Sequence, residues 1–301
     1  MTDVRGPSFS FEFFPPRTPE AVTKLAEARR KLALLEPEFI SVTFGAGGST
    51  REGTLNAVLD IIADGIEGAP HLTCVGSTRA SMRELLAEYR RHGIRRLVAL
   101  RGDLPSGWGG DGVGALRYAN ELVEFIRAET GDWFHIEVAA YPEMHPQAPS
   151  MKQDLDSFVR KVGAGADSAI TQLFFNADAY LRFVDDARAR GVGIPIVPGI
   201  MPITNHAGIK RFCTSCGADL PRWIETRLAD YGDDLESIRA FGLDVVENLC
   251  RRVLAEGAPG LHFYTMNGAA TTTALWDRLD LGAMRRAGSG RGQLPQQLVS
   301  R

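Results

Sequence analysis

The chain has 301 residues, a formal net charge of -3, 44% hydrophobic and 24% charged residues. That is the mix of a soluble globular protein long enough for one large α/β barrel or two ordinary domains. It excludes a basic nucleic-acid footprint and a polybasic membrane surface, and MTDVRGPSFS at the N-terminus lacks a signal peptide's apolar core, so neither nucleic acid nor membrane is an expected partner and a cytoplasmic location is expected.

Short β-branched or aromatic runs read as strands, and longer periodic runs as helices. SFSFEFF is the first strand; PPRT and a helix over TPEAVTKLAEARRKLALL follow, with Pro19 in its first turn. EFISVTF precedes the helix TREGTLNAVLDIIADG, and HLTCV precedes SMRELLAEYRRHG, both helices ending on glycine. RRLVALRGD leads into SGWGGDGVG, a glycine-rich loop expected to be mobile, and then the helix GALRYANELVEFIRAET. The alternation continues through HIEVAAYP and MKQDLDSFVRKVGAG, AITQLFF and ADAYLRFVDDARARG, IPIVPGIMP and NHAGIKRFCTSCG. An additional helix near the active face is expected in ADLPRWIETRLADYGDDLE, before ESIRAFGLDVVENLCRRVLAEG and the last strand, LHFYTMN.

Eight strands alternating with helices at roughly 30-residue spacing predict a (β/α)8 TIM barrel as a single domain over residues 1–286. The remaining residues, 287–301, are small and polar and are expected to form a disordered tail. An open doubly wound sheet is the competing layout, but it would place a glycine-rich turn after the first strand. Pro15–Pro16 stands there instead, and GAGG at 45–48 does not fit the dinucleotide pattern.

In such barrels the chemistry sits at the C-terminal ends of the strands. Polar residues interrupt the apolar runs there: Glu12, Thr43, Arg101 with Asp103, Tyr141 with Glu143 and His145, Gln172 and Asn267. His71 is the exception, falling at the start of its expected strand. If Phe9, Phe11 and Phe13 face the helices, Ser10, Glu12 and Phe14 face the barrel axis. A carboxyl on that poorly solvated wall has its pKa raised by desolvation, which suits a general acid; the alternative is a Glu12 paired with Arg17. Arg101 and Asp103 have the alternative of pairing with each other, His145 of holding a turn, and Asp154 and Lys161 of lying on a solvated helix face. A buried amide such as Gln172 calls for a polar partner or a ligand.

The four cysteines are Cys74, Cys213, Cys216 and Cys250. CTSC at 213–216 is a lone C-x-x-C with no second pair of ligands nearby, so no metal is expected.

FEFFPPRT, SVTFGAGG, PHLTC, LRGDLP, AAYPEMHP, ITQLFF, PGIMPITN and HFYTMN, in that order from about Ser10 to about Leu281, together resemble the methylenetetrahydrofolate reductases in their short bacterial form. The resemblance implies a (β/α)8 barrel with non-covalent FAD. It implies reduction of 5,10-methylenetetrahydrofolate to 5-methyltetrahydrofolate, with NADH or NADPH reducing the flavin before folate takes its place, a supply of methyl groups for methionine synthesis. Glu12 matches the family's general acid, which helps protonate N10 as the ring opens. Asp103 matches an aspartate near flavin and pterin, Gln172 a glutamine that contacts folate and then nicotinamide, and Phe212 an aromatic packing on the bound substrate. The flavin positions carried over are Thr43, Phe44, Ala46, His71, Arg101, Gly102, Asp103, Tyr118, Ala119, Tyr141, His145, Ala148, Asp154 and Lys161, with Arg101 and Lys161 suited to the phosphates.

Two departures concern the folate's glutamate tail. Gly268 and Gly208 stand where some members have an arginine and a glutamine, and Arg211, Lys210 and Arg278 are candidate substitutes. Inhibition by S-adenosylmethionine is not expected, and association into dimers or tetramers is. A flavin-free barrel transferring a one-carbon group and a non-catalytic flavoprotein subunit are the competing functional readings.

Overall fold

The computed structural model describes residues 6–44, 51–102 and 114–289. Its strand segments are β1 (Ser8–Phe13), β2 (Phe39–Val42), β3 (Glu67–Thr73), β4 (Arg96–Leu100), β5 (His135–Ala140), β6 (Ser168–Thr171), β7 (Ile196–Val197), β8 (Gly199–Ile200) and β9 (Gly260–Tyr264). They hydrogen-bond in the order β7-β6-β5-β4-β3-β2-β1-β9-β8, every pair parallel. The result is a nearly closed, TIM-barrel-like sheet of nine segments with helices around it.

The count of nine corrects the expected eight. IPIVPGIMP carries two short segments, because Pro198 has no N–H to give a ladder. β7 pairs with β6, and β8 with β9. The Pro198 carbonyl still accepts from His262 N at 2.9 Å. The two ends of the strand order are therefore neighbours in sequence, and the barrel's seam runs through this proline.

Tyr264 crosses the seam, donating from its hydroxyl to the Thr171 carbonyl at 2.6 Å. Gly199 makes room for that crossing: a Cβ there would lie 2.1 Å from the Thr171 oxygen and 2.7 Å from the Tyr264 ring and hydroxyl.

Strand alternation holds on β1. Phe9, Phe11 and Phe13 are buried on the outer face. Phe9 and Phe11 lie 5.1 and 6.3 Å, ring centre to ring centre, from Trp276 of α10 (Ala270–Arg278). Each buried phenylalanine contributes about 1.5–3 kcal/mol. This helix and α11 (Leu281–Ser289) follow the last strand, beyond the helices the sequence predicted, and α11 extends into the expected tail; residues 290–301 lie outside the described ones. The loop SGWGGDGVG also lies outside them, apart from Gly114.

Several helix starts are fixed by side chains: Thr18 accepts from Ala21 N at α1 (Pro19–Ala33), Ser150 from Gln153 N at α5 (Met151–Gly163), and Asn205 from Gly208 N at α7 (His206–Cys216). The expected additional helix is present as α8 (Arg222–Asp230).

At the N-terminal end of the barrel, buried Arg96 gathers three carboxylates. It reaches Glu137 at 2.6 Å, Glu38 at 2.6 Å and Glu67 at 3.1 Å, with its guanidinium 4.3 Å over the Phe39 ring. Burial alone would raise the Glu137 carboxyl; His135, Arg96 and Ser168 outweigh it and hold the group low. This polar plug closes the end opposite the cavity.

Candidate active site

The C-terminal strand ends open into a cavity of about 1440 Å³. The described positions that match the family's catalytic, flavin and substrate residues line it: Glu12, Thr43, Phe44, His71, Arg101, Gly102, Tyr118, Ala119, Tyr141, His145, Ala148, Asp154, Lys161, Gln172 and Phe212; Glu143, Asn267 and the tail candidates Lys210, Arg211 and Arg278 do not. Asp103 and Ala46 lie outside the described residues. His71 is no exception after all. β3 begins four residues before it, at Glu67, so His71 stands near the strand's C-terminal end.

Glu12 points inward, as strand alternation requires. Its partners are two imidazoles, where Arg17 was the expected alternative. Oε2 lies 3.2 Å from His71 Nε2 and 3.6 Å from His262 Nε2, and Ser41 Oγ donates to it at 3.5 Å. The Nε2 atoms of both rings make these approaches without a well-aligned hydrogen bond among the described residues. Behind them, Ser10 Oγ meets His262 Nδ1 at 2.7 Å. His262 is wholly buried, parallel to the Phe39 ring at 5.9 Å.

This cluster corrects the expected pKa. Burial does push the Glu12 carboxyl upward, but the His71 and His262 imidazoles outweigh it and hold the group at about 2. Ser10 and His262 were not among the candidates. Their signal was parity: β1 and β9 pair with Ser10 opposite His262 and Glu12 opposite Tyr264, so all four face inward.

The backbone around Glu12 is held from β9. Thr265 donates to the Glu12 carbonyl from Oγ1 at 2.7 Å and from N at 3.3 Å. Gln172 Oε1 accepts from Leu173 N at 2.9 Å, which leaves the amide NH2 as its end for a ligand.

On the opposite wall, Asp154 accepts from His145 N at 2.8 Å, and His145 Nδ1 accepts from Gln147 N at 3.0 Å. His145 thus holds a turn and lines the cavity at once. Its ring is 4.6 Å from Tyr141, edge to face. Lys161 reaches across to donate to the Ala139 carbonyl, with its ammonium 5.8 Å from the Tyr141 ring centre. Burial lowers its pKa to about 8, against the pull of Asp154. Neither Asp154 nor Lys161 is on a solvated face.

Cys216 also lines the cavity, and burial pushes the Cys213 thiol up to about 12. Among the described residues no three His, Cys, Asp or Glu side chains are grouped to hold a metal ion, and no helix is long and apolar enough to cross a membrane.

The fold and cavity define the class: an α/β-barrel protein with an ionisable, strand-end site of the kind enzymes use. A sequence profile of the methylenetetrahydrofolate reductase family matches residues 2–280. The 5,10-methylenetetrahydrofolate reductase of Escherichia coli (strain K12) is 40% identical over 278 residues, covering 91% of this chain and 92% of that one. The Arabidopsis thaliana methylenetetrahydrofolate reductase (NADH) 1 is 38% identical over 281 residues, 89% of this chain and 47% of that one. A Clostridium thermocellum protein that binds two copies of 5-methyl-5,6,7,8-tetrahydrofolic acid has the same fold, with a TM-score of 0.67 at 16% identity, covering 92% of this chain and 96% of that one. The chain belongs to the methylenetetrahydrofolate reductase family, which makes it an oxidoreductase of folate-dependent one-carbon metabolism.

Proposed function

We propose that the protein reduces 5,10-methylenetetrahydrofolate to 5-methyltetrahydrofolate with electrons from NADH or NADPH, using bound FAD. The observation that carries this reading is the convergence on one cavity of the described family positions, from Glu12 on β1 round to Phe212 on α7.

The wall from β2 to α5 fits a flavin dinucleotide. Thr43 Oγ1 is buried there without a hydrogen-bond partner among the described residues. The buried Lys161 ammonium meets a carbonyl and two rings, with the Asp154 charge acting on it. α4 (Ala119–Thr130) starts at the cavity without a side-chain cap, leaving N–H groups for a diphosphate. Thr43, Arg101, Lys161 and the α4 N-terminus would hold the cofactor, with Tyr141 and His145 beside it. FAD supplies a reversible hydride carrier between the nicotinamide and the folate.

The residues of the other wall do the rest. Gln172 and Phe212 orient whichever substrate is present. Glu12 delivers the proton that N10 takes as the substrate's five-membered ring opens. Asp103 is proposed to bind the pterin edge and to favour the cationic opened form. For the glutamate tail, Lys210 is committed to Glu225 at 2.5 Å, and Arg278 to Asp244 at 2.6 Å and Glu247 at 3.1 Å. Arg211, lying against the cavity residue Phe212 at 5.9 Å, is left as the cation for the tail.

Anaerobic addition of NADH or NADPH to purified protein tests the reading. Bleaching of flavin absorption, and its return on adding methylenetetrahydrofolate, is the expected result. Purified protein that is colourless and takes up no FAD overturns it. Yellow protein that neither nicotinamide bleaches overturns the choice of electron donor.

A further inference from the structure

Two walls of the cavity are joined behind it. On the proposed flavin side, the loop from β5 to α5 brings His145 and Ala148 to the cavity. On the substrate side, α7 brings Phe212 and Cys216, one turn apart and so on one helix face. The joint itself lies outside the cavity lining. There Glu143 Oε2 accepts from Asp219 N at 2.7 Å. Gly217 ends α7 at φ +69, and a Cβ on it would lie 2.7 Å from Pro146 Cγ, so helix end and loop are in direct contact.

The loop is fixed from its other side as well. His145 N donates to Asp154 in the first turn of α5 at 2.8 Å, and Ala148 N to the His145 carbonyl at 2.9 Å. Between Glu143 and His145, Met144 stands at φ +120, where a methionine is found only when its surroundings hold it. Glu143 is half-buried: burial pushes its carboxyl up, the Asp219 N–H draws it down, and the Asp219 carboxylate pushes it up again. A carboxylate that stands at such a cost has more to hold than a surface turn.

We propose, building on the reductase reading, that Glu143 is a positioning residue that fastens α7 to the flavin-side loop and thereby sets how Phe212 packs on each substrate. The other end of α7 is held where Asn205 accepts from Gly208 N. A helix released at its C-terminus pivots on that cap, and Phe212, between the two fastenings, swings with it. Nicotinamide and folate occupy the same place in turn and meet the same ring, so one fastening serves both. FAD is held by the loop's own bonds and by the wall from β2 to α5, and does not depend on it.

Glu143→Ala removes the bond, and Glu143→Gln keeps an acceptor in its place. Glu143→Ala is expected to raise KM about ten-fold for the nicotinamide and for methylenetetrahydrofolate alike, with kcat and FAD affinity within about two-fold of the parent. Glu143→Gln is expected to restore KM to near the parent value. In a Phe212→Ala background, Glu143→Ala should add little further, because it acts through that ring. An unmoved KM, a double variant in which the two effects multiply, or FAD weakened as much as the substrates overturns the proposal. A second readout needs no turnover. Cys213 is buried next to the joint, so its alkylation by iodoacetamide, followed by peptide mass, reports opening of the helix end. It should be several-fold faster in Glu143→Ala than in the parent or Glu143→Gln, and an unchanged rate overturns the fastening. If the parent itself fails to reduce folate, the reductase reading is lost, and alkylation still decides whether Glu143 holds α7. If Glu143→Ala does not fold, Gly217→Ala, whose Cβ presses on Pro146, displaces the same helix end and carries the decision.

Discussion

The side-chain amide of Asn267 takes both backbone polar groups of Phe14: Oδ1 accepts from Phe14 N at 2.9 Å, and Nδ2 donates to Phe14 O at 2.8 Å. Asn267 sits at φ +57, a conformation that asparagine tolerates better than most residues. This reciprocal clasp ties the end of β1 to the end of β9, two residues past Glu12. Asn267→Ala loses both bonds and strains the backbone, a cost of about 2–3 kcal/mol. Asn267→Gly relieves the strain and loses only the bonds. Urea unfolding should rank the two variants in that order, while folate reduction, which needs Glu12 in place, falls in both.

Gly199→Ala is expected to be strongly damaging to the barrel. Its Cβ would meet the Thr171 carbonyl oxygen at 2.1 Å, and backbone cannot step aside. The expected loss exceeds about 3 kcal/mol, in the exceptional range for one residue. Adding Tyr264→Phe, which removes the hydroxyl at 2.7 Å, should not restore stability, because the clash with Thr171 remains. Thermal unfolding of the single and double variants checks this.

Glu137 predicts a pH dependence at the closed end of the barrel. Its carboxyl is held below the ordinary value despite burial, so its contribution is present above the unfolded-state value near 4.5 and is lost as pH falls through the folded-state value. The stability difference between parent and Glu137→Gln should therefore be clear at pH 7 and shrink steadily below pH 4. Arg96→Met should cost about 3–5 kcal/mol at pH 7, since it leaves a buried carboxylate uncompensated. Chemical unfolding across pH measures both.

Lys161 behaves in the opposite sense. Its folded-state pKa of about 8 lies below the unfolded value near 10.5, so the native state gains stability as pH rises between them. An anion bound beside it would raise that pKa. FAD binding above pH 8 is therefore expected to take up a proton, visible by calorimetry in buffers of different ionisation enthalpy. Lys161→Met should abolish the uptake and weaken FAD about ten-fold or more, about 1.4 kcal/mol, without destabilising the apoprotein.

Much of this was legible in the sequence, and for physical reasons. A period of two on SFSFEFF turns Glu12 inward whatever the rest of the chain does. The helix start at Pro19 is local, and local signals survive without tertiary knowledge. What stayed hidden depends on distant contacts. His262 lies 250 residues from Glu12, and only the register between β1 and β9 brings them together. Without that register Glu12 reads as a desolvated acid, whereas the two imidazoles hold its carboxyl low. His71 was misplaced because EGAP looks like a turn; Gly68 is there because a Cβ would come within 2.9 Å of Val58, where α2 (Arg51–Ala63) packs close. The break at Pro198 was visible as a proline, but its effect on strand count depends on which neighbours each half finds.

The seam at Pro198 makes the barrel a hoop with a clasp. Around most of the circumference the hoop is held by continuous ladders; at the clasp it is held by two short segments and the Tyr264 crossbar. A hoop under thermal strain opens at its clasp first. Amide hydrogens of Ile200 and His262 should then exchange sooner than those of Leu97 or Ile136 on the far side, and the opening would loosen the folate wall of the cavity while leaving the flavin wall shut.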